Sequence, residues 1–401
     1  MLPLTTHRDT RIDALRGLFL VIMAAVHVPT PLSHWLHEPF GYIGSAEGFV
    51  FLSGGLAGLV YGKIFGRDGW HAMAHKVWRR AGKVYAIHLS VLLPIALLAW
   101  ELASHVTSLE HHFHDFLLHP WRNLALMPLL AHQPPLFDIL PLYVGFLGIT
   151  PLVLSTGRRY GWGCVLVVSF LIWGAAQFSE GFYVPGHPHG LRVMHSGPFD
   201  LRAWQFLWVS GLALGQGHST LKANLLSNGT WRSLIGGCAA AVVLIGLLSR
   251  HGLVQTPNEV YVWLNKWSLG PLRLINFGAW VVLFLAWNPR VPKMLTTAPA
   301  LLGRQSLAVF SAHLPLVIGA NCVIQWLGPG ALPKIAVGLV VVAVLFPVAY
   351  CAEHWSNWFP AMAVRSVKPA VPHEGSLPLR TGELRLGGCE AAGIEAQFVN
   401  C

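Results

Sequence analysis

The chain has 401 residues, of which 54% are hydrophobic and only 11% charged, with a mean hydropathy of +0.53 and 17 tryptophans. A soluble domain carries about 25% charge, so the composition excludes an ordinary soluble enzyme and points to an integral membrane protein. The formal net charge of +10 is no argument for a nucleic-acid partner, because the basic residues fall between apolar runs, where they orient a chain in a bilayer.

The first apolar run closes the stretch RDTRIDALRGLFLVIMAAVH, Arg8 to His27. It begins after several charges and lacks a small-residue cleavage site, so it reads as a retained helix and not as a signal peptide. At about 100° and about 1.5 Å per residue, Arg16 and His27 lie within roughly 20° of one face and roughly 16 Å apart, about half a bilayer core. Asp13 lies about 40° off the same stripe. Two readings stay open. Asp13 and Arg16 can be interfacial anchors with His27 a hydrogen-bonded core residue, or the three can belong to a site, since an ionisable side chain inside an apolar span is costly.

Ten spans are expected, over residues 12–30, 43–62, 84–103, 136–156, 161–179, 202–217, 231–249, 271–289, 302–325 and 333–353, an all-α polytopic fold. With both termini cytoplasmic, the inside segments hold 20 of the 27 Lys and Arg residues and the outside segments 7, the asymmetry that sets orientation. Residues 121–134 are apolar but too short to cross and end at Pro134-Pro135, so they are expected as an interfacial or re-entrant piece on the outer side. The outer segments then collect 12 of the 21 histidines, among them His34, His37, His111, His112, His132, His187, His189, His195 and His251. Within them EHHFHD, Glu110 to Asp115, has zinc-ligand residue types but no spacing that fixes a tetrahedral site; it reads as a solvated polar loop, and no metal is expected. The six cysteines, four in expected spans and two in the tail, contain no CxxC and imply neither a disulfide framework nor a metal site. Residues 356–401 read as a cytoplasmic, disordered tail behind a transmembrane domain over 1–355.

Several polar residues stand out against the apolar spans. Glu47, on the expected second helix, falls at nearly the depth of His27; it can orient that imidazole as a general base, or simply face outer water at a helix start. Ser53, Gly54, Gly55 and Gly58 follow, small residues that favour close helix packing. Asp138 stands at the outer mouth of the fourth span with Tyr143 deeper, and Asp200, Trp204 and Gln205 at the outer entry of the sixth. Both groups suit sugar hydroxyls, and both suit an ordinary interfacial belt. Arg304, at the inner mouth of the ninth span, is placed to meet donor phosphates or to serve as one more inside cation, with His313 inside that span as support or as a packed core histidine. The Lys63 to Lys83 segment carries six further positive charges. No Walker motif, GxGxxG, GxSxG or HExxH is present, which removes support for ATP-driven transport and soluble-hydrolase chemistry.

The segments RDTRIDALRGLFLVIMAAVH and FGYIGSAEGFVFLSGGLAGLVYG, followed in order by DILPLYV, PFDLRAWQFLWVSGLALG, KWSLGPLRLINF and LGRQSLAVF, resemble the OpgC family of membrane proteins over roughly residues 8 to 355. That family is similar to the wider transmembrane acyltransferase group, whose first helix carries an arginine, ten residues and a histidine, as Arg16 and His27 do here. Val26 stands where similar proteins often have an acidic residue, which leaves Glu47 as the candidate to support His27. The resemblance implies an inner-membrane O-acyltransferase with His27 and Glu47 catalytic, Arg16 and Arg304 on the donor and Asp138, Asp200, Trp204 and Gln205 on the acceptor. Asp13, Ser53, Tyr143 and His313 would support them. The implied donor is acyl-CoA, expected to be succinyl-CoA, with no bound cofactor. The implied acceptor is a periplasmic or exported glucan, and the expected partners are membrane lipid and glucan-biosynthesis proteins, with no nucleic acid. The same polar residues lining a pathway leave a glycan or small-anion transporter or flippase as the alternative.

Overall fold

In a computed structural model of the chain, residues 10–178, 199–226, 229–287, 292–328 and 330–358 are described, and they contain helices and no strands. His187, His189, His195 and residues 359–401 of the expected tail lie outside these segments. A helix stands at each of the ten expected positions. Helix α1 covers Thr10–Val26; after the one-turn α2 (Ser33–Leu36) comes α3 (Ser45–Leu102), then α4 (Thr107–Leu118), α5 (Pro120–Leu126), α6 (Ile139–Tyr160) and α7 (Trp162–Phe178). The second half holds α8 (Leu201–Leu226), α9 (Gly229–Arg250), a 3-10 turn over Asn258–Leu264, α10 (Pro271–Trp287), α11 (Lys293–Arg304), α12 (Ser306–Ile324) and α13 (Ala331–Trp358).

Five of these helices are long and apolar enough to cross a membrane: α3, α6, α12, and the apolar parts of α9 and α13 over Arg232–Arg250 and Ala331–Trp355; α7 and α10 are apolar but shorter. Val167, Val168, Phe170 and Leu171 of α7, Leu244 and Ile245 of α9, and Leu339 and Val340 of α13 are exposed at the surface of the bundle. Apolar faces that broad are stable against lipid and not against water, which marks the chain as a membrane protein.

The 58 residues of α3 contain both the second and third expected spans. A straight helix of that length would reach about 87 Å, nearly three bilayer cores. Gly69 breaks it, with φ 82° and ψ −179°, a conformation that no continuous helix contains and that a side chain would strain. Two helices therefore meet at Gly69, inside the basic Lys63 to Lys83 segment.

Helices approach closely where side chains vanish. A Cβ on Gly17 would lie 1.8 Å from the Pro299 carbonyl oxygen, and one on Gly303 would lie 1.8 Å from that of Asp13, so α1 and α11 touch backbone to backbone. Gly54 and Gly58 press likewise on Trp208 and Leu212 of α8, and Gly211 and Gly215 on Phe51 and Gly55, a small-xxx-small seam on both partners.

The EHHFHD segment corrects the expected solvated loop. It lies in α4, whose Leu109, Phe113 and Phe116 are buried at helical spacing while Glu110, His111, His114 and Asp115 face outward. Residues 121–134 hold all but the first residue of the seven-residue α5, and a turn.

Candidate functional site

Helix α1 presents its polar stripe to α12. Arg16 donates through Nη2 to Ser306 Oγ (2.7 Å) and through Nη1 to the Gly303 carbonyl (3.1 Å), with Asp13 at 3.8 Å and the Phe49 ring 5.5 Å from its guanidinium carbon. Eleven residues on, Asn321 Nδ2 donates to the His27 carbonyl (3.4 Å), and the rings of His27 and His313 stack with centroids 6.3 Å apart and an interplanar angle of 30°. Contacts that advance together along both helices mean that α12 runs in the same direction as α1. The expected common face of Arg16 and His27 is the face on which α12 packs.

Two openings lie on this seam. At one, Arg16, Ser306, Arg80 and Tyr143 line a narrow crevice with Phe49 and Phe310. At the other, His27, His111, His112, Asn321, Ser108 and Gln325 line a cleft of about 450 Å³. Between them stands an aromatic wall: Phe49 stacks on Phe310 (6.3 Å), Phe310 meets His313 edge to face (4.6 Å), and His313 stacks on His27. The Nδ1 of His313 bonds the Phe310 carbonyl, which only accepts, so Nδ1 carries the proton and Nε2 keeps a lone pair. His27 lines the cleft, and among the described residues no hydrogen bond engages its ring.

Glu47 does not reach His27. Its Oε1 accepts from Arg273 Nη1 (2.7 Å) and its Oε2 from the Gly44 amide (3.1 Å), so both oxygens are taken by a buried ion pair and by the start of α3. Glu47 is fully buried at 0% exposure and Arg273 is 3% exposed, and a carboxylate that deep goes to a cation before an imidazole. Arg273 also donates to Glu38, which in turn takes Arg250 Nε at 2.6 Å. Burial opposes the charge on Glu38, yet the two guanidiniums outweigh it and hold its carboxyl below the usual range. The nearby His37 is held below the usual histidine range by its burial and then by the Lys266 ammonium. Arg273 and Arg250, cations in outer segments, were legible only as exceptions to the inside bias; their partners lie more than 200 positions away.

The residues expected on the acceptor are engaged in the scaffold. Trp204 is fully buried and donates Nε1 to the carbonyls of Lys266 (3.2 Å) and Trp267 (3.1 Å). Gln205 is buried against α7, accepting from Ser169 Oγ (2.6 Å) and donating to the Ser169 carbonyl (2.8 Å). Asp200 accepts from the Arg202 amide (2.8 Å) and pairs with its guanidinium (2.7 Å) at the start of α8. At the start of α8 the Asp200 amide and the Trp204 indole both donate to the 266–267 carbonyls, which ties the first turn of this central helix to the 251–270 loop. Asp138 is buried at the start of α6 and lines neither opening. Tyr143, expected near the acceptor, lines the Arg16 crevice and packs edge to face on Trp208 (4.9 Å). Arg304 pairs with Glu353 of α13 (2.9 and 3.3 Å), and Ser53 is buried on the seam between α3 and α8.

A family model described as OpgC protein matches residues 8–357, nearly the whole chain. Neither the curated proteins nor the solved structures compared with the chain give a match.

Proposed function

The chain belongs to the OpgC family, and from that premise we propose that it is an inner-membrane O-acyltransferase moving an acyl group, succinyl in the first instance, from acyl-CoA to a hydroxyl of a periplasmic or exported glucan. The observation that carries this reading is the pair of openings on one α1 seam, with Arg16 at one and His27 at the other. Acyl-CoA is cytoplasmic and the glucan is not, so the two must meet at a site reached from opposite sides.

In this mechanism the His27 imidazole takes the proton of the acceptor hydroxyl as its oxygen attacks the thioester carbonyl. The carbon–sulfur bond breaks, the coenzyme leaves as thiolate, and the proton passes from the imidazolium to that sulfur. His313, whose Nδ1 is held by the Phe310 carbonyl, stacks on the His27 ring and orients it, while Glu47 is held by Arg273. Arg16, already bound to Ser306 and Gly303, steers the acyl arm, while the part-exposed Arg304 and Arg80 meet the donor's phosphates. The site needs no cofactor beyond the acyl-CoA itself. With ten crossings and both termini cytoplasmic, as the charge bias favours, the Lys63 to Lys83 segment would lie on the donor side.

Incubating the protein in detergent, where no compartments exist, with acyl-CoA and glucan tests the reading. Free coenzyme together with acylated glucan is expected, and mass spectrometry of the product names the acyl group. Repeated absence of product with several donors would overturn it in favour of a glycan transporter.

A further inference from the structure

One cation stands close to His27 and takes no part in the transfer as described. Lys266 belongs to the 265–270 loop, between the 3-10 turn and α10. The loop has no helix of its own, yet each carbonyl from Leu264 to Leu269 accepts a hydrogen bond. The donors include Trp173 and Gln177 of α7, Trp204 of α8 and Arg273 of α10, at 2.8–3.2 Å. Lys266 is thus presented from a backbone that three helices hold in place.

The Lys266 side chain is part-exposed. Its Nζ ends 3.8 Å from where a Cβ on Gly44 would stand, at the start of α3, and 5.7 Å from the Trp267 ring centroid. Its charge acts on the His27 ring, and also on His37 and Asp138, so it stands among the end of α1 and the starts of α3 and α6. Among the described residues no carboxylate forms an ion pair with it. Glu47 is held by Arg273 and the Gly44 amide, Glu38 by Arg273 and Arg250, and Asp138 is buried at the start of α6.

A part-buried ammonium without a counter-ion gains from an anion that arrives with a ligand. The reaction adds a second reason. His27 becomes an imidazolium while it holds the hydroxyl proton, and a neighbouring cation makes that charge costlier. A carboxylate seated on Lys266 removes this penalty; a chain ending in a methyl group leaves it. The acyl chain is the part of the substrates whose free end lies only a few bonds from the carbon attacked beside His27.

We propose that Lys266 determines the choice of acyl group: its ammonium binds a free carboxylate at the far end of the acyl chain and so selects a dicarboxylic acyl group over a neutral one. The inference rests on the acyltransfer reading for the reaction and goes beyond it in naming the residue that chooses what is transferred.

Equilibrium binding separates the two. Full-length protein in detergent is titrated, without glucan, with two stable thioethers of coenzyme A, one ending its four-carbon arm in a carboxylate and the other in a methyl group. The unaltered protein is expected to bind the carboxylate-ended arm about ten- to a hundredfold more tightly, the worth of a charge-assisted hydrogen bond. Lys266→Met is expected to bind the two alike, and Lys266→Arg, which keeps the charge, to keep the preference. Turnover with glucan should follow the same order, with succinyl-CoA ahead of butyryl-CoA in the unaltered protein and not in Lys266→Met. Equal binding of the two arms by the unaltered protein, which needs no variant to measure, or an undiminished preference in Lys266→Met, overturns the inference. A protein that prefers the carboxylate-ended arm through Lys266 yet acylates no glucan would retain this inference and lose the acyltransfer reading.

Discussion

Among single residues, His27 and Arg273 carry different kinds of burden. Among the described residues no hydrogen bond engages the His27 ring, which lines the cleft of about 450 Å³, and its loss in His27→Ala is expected to lower acyl transfer by about 10²–10⁴, the usual contribution of a positioned base, with the folded protein recovered in normal yield. Wild-type levels of modified glucan in cells carrying that variant would sink the mechanism. Arg273 holds two carboxylates, Glu47 and Glu38, and its side chain lies among buried groups. Arg273→Met leaves both anions without that cation, which by ordinary buried-pair energetics is a loss of about 3–5 kcal/mol, read as a lower melting temperature in detergent. Adding Glu47→Gln to it should restore part of the loss, because the orphaned charge goes with it; no recovery would mean that the pair is not coupled. Glu47 was legible as an expensive residue needing a partner, while the partner's identity was not, since Arg273 follows it by 226 positions and no local spacing relates them.

At the level of elements, the glycine seams decide which helices are neighbours. Gly17 and Gly303 let α1 and α11 meet so closely that Arg16 reaches the Gly303 carbonyl and Ser306 at the head of α12. Gly17→Val is therefore expected to destabilise by about 1–3 kcal/mol or more and, by pushing α1 away, to lower transfer even in the protein that folds. Measuring the melting temperature and the activity per folded molecule separates the two effects; unchanged values for both would refute the seam. The helix period of α1 was enough to place Arg16 and His27 on one face. It contained nothing about α12 as the occupant of that face, and the α4 helix was hidden because its polar residues, Thr107, Ser108, Glu110, His111, His112, His114 and Asp115, outnumber the three buried positions Leu109, Phe113 and Phe116.

For the whole molecule, the proposed orientation in the membrane would assign the two openings to two compartments. In a cysteine-free background, Ser104→Cys, past the second half of α3, is expected to react with an impermeant thiol reagent from outside. His71→Cys, beside the Gly69 break, is expected to react only after the membrane is opened. The reverse pattern would invert the chain and with it the assignment of donor and acceptor sides. The argument for this orientation is the charge bias of the segments between spans, a property of the whole chain that no single contact in the bundle reports.

Composition and periodicity alone determined that this is a helical membrane protein, where its ten long apolar segments lie, and that Arg16 and His27 share a stripe, because desolvation in lipid and the pitch of the helix act on neighbours in the chain. The tertiary structure alone decided who meets that stripe. It gave Glu47 to Arg273, set His313 beside His27, and turned Trp204 and Gln205 inward. Those outcomes depend on which distant groups compete for one buried donor or acceptor, and that competition is settled only when the helices pack.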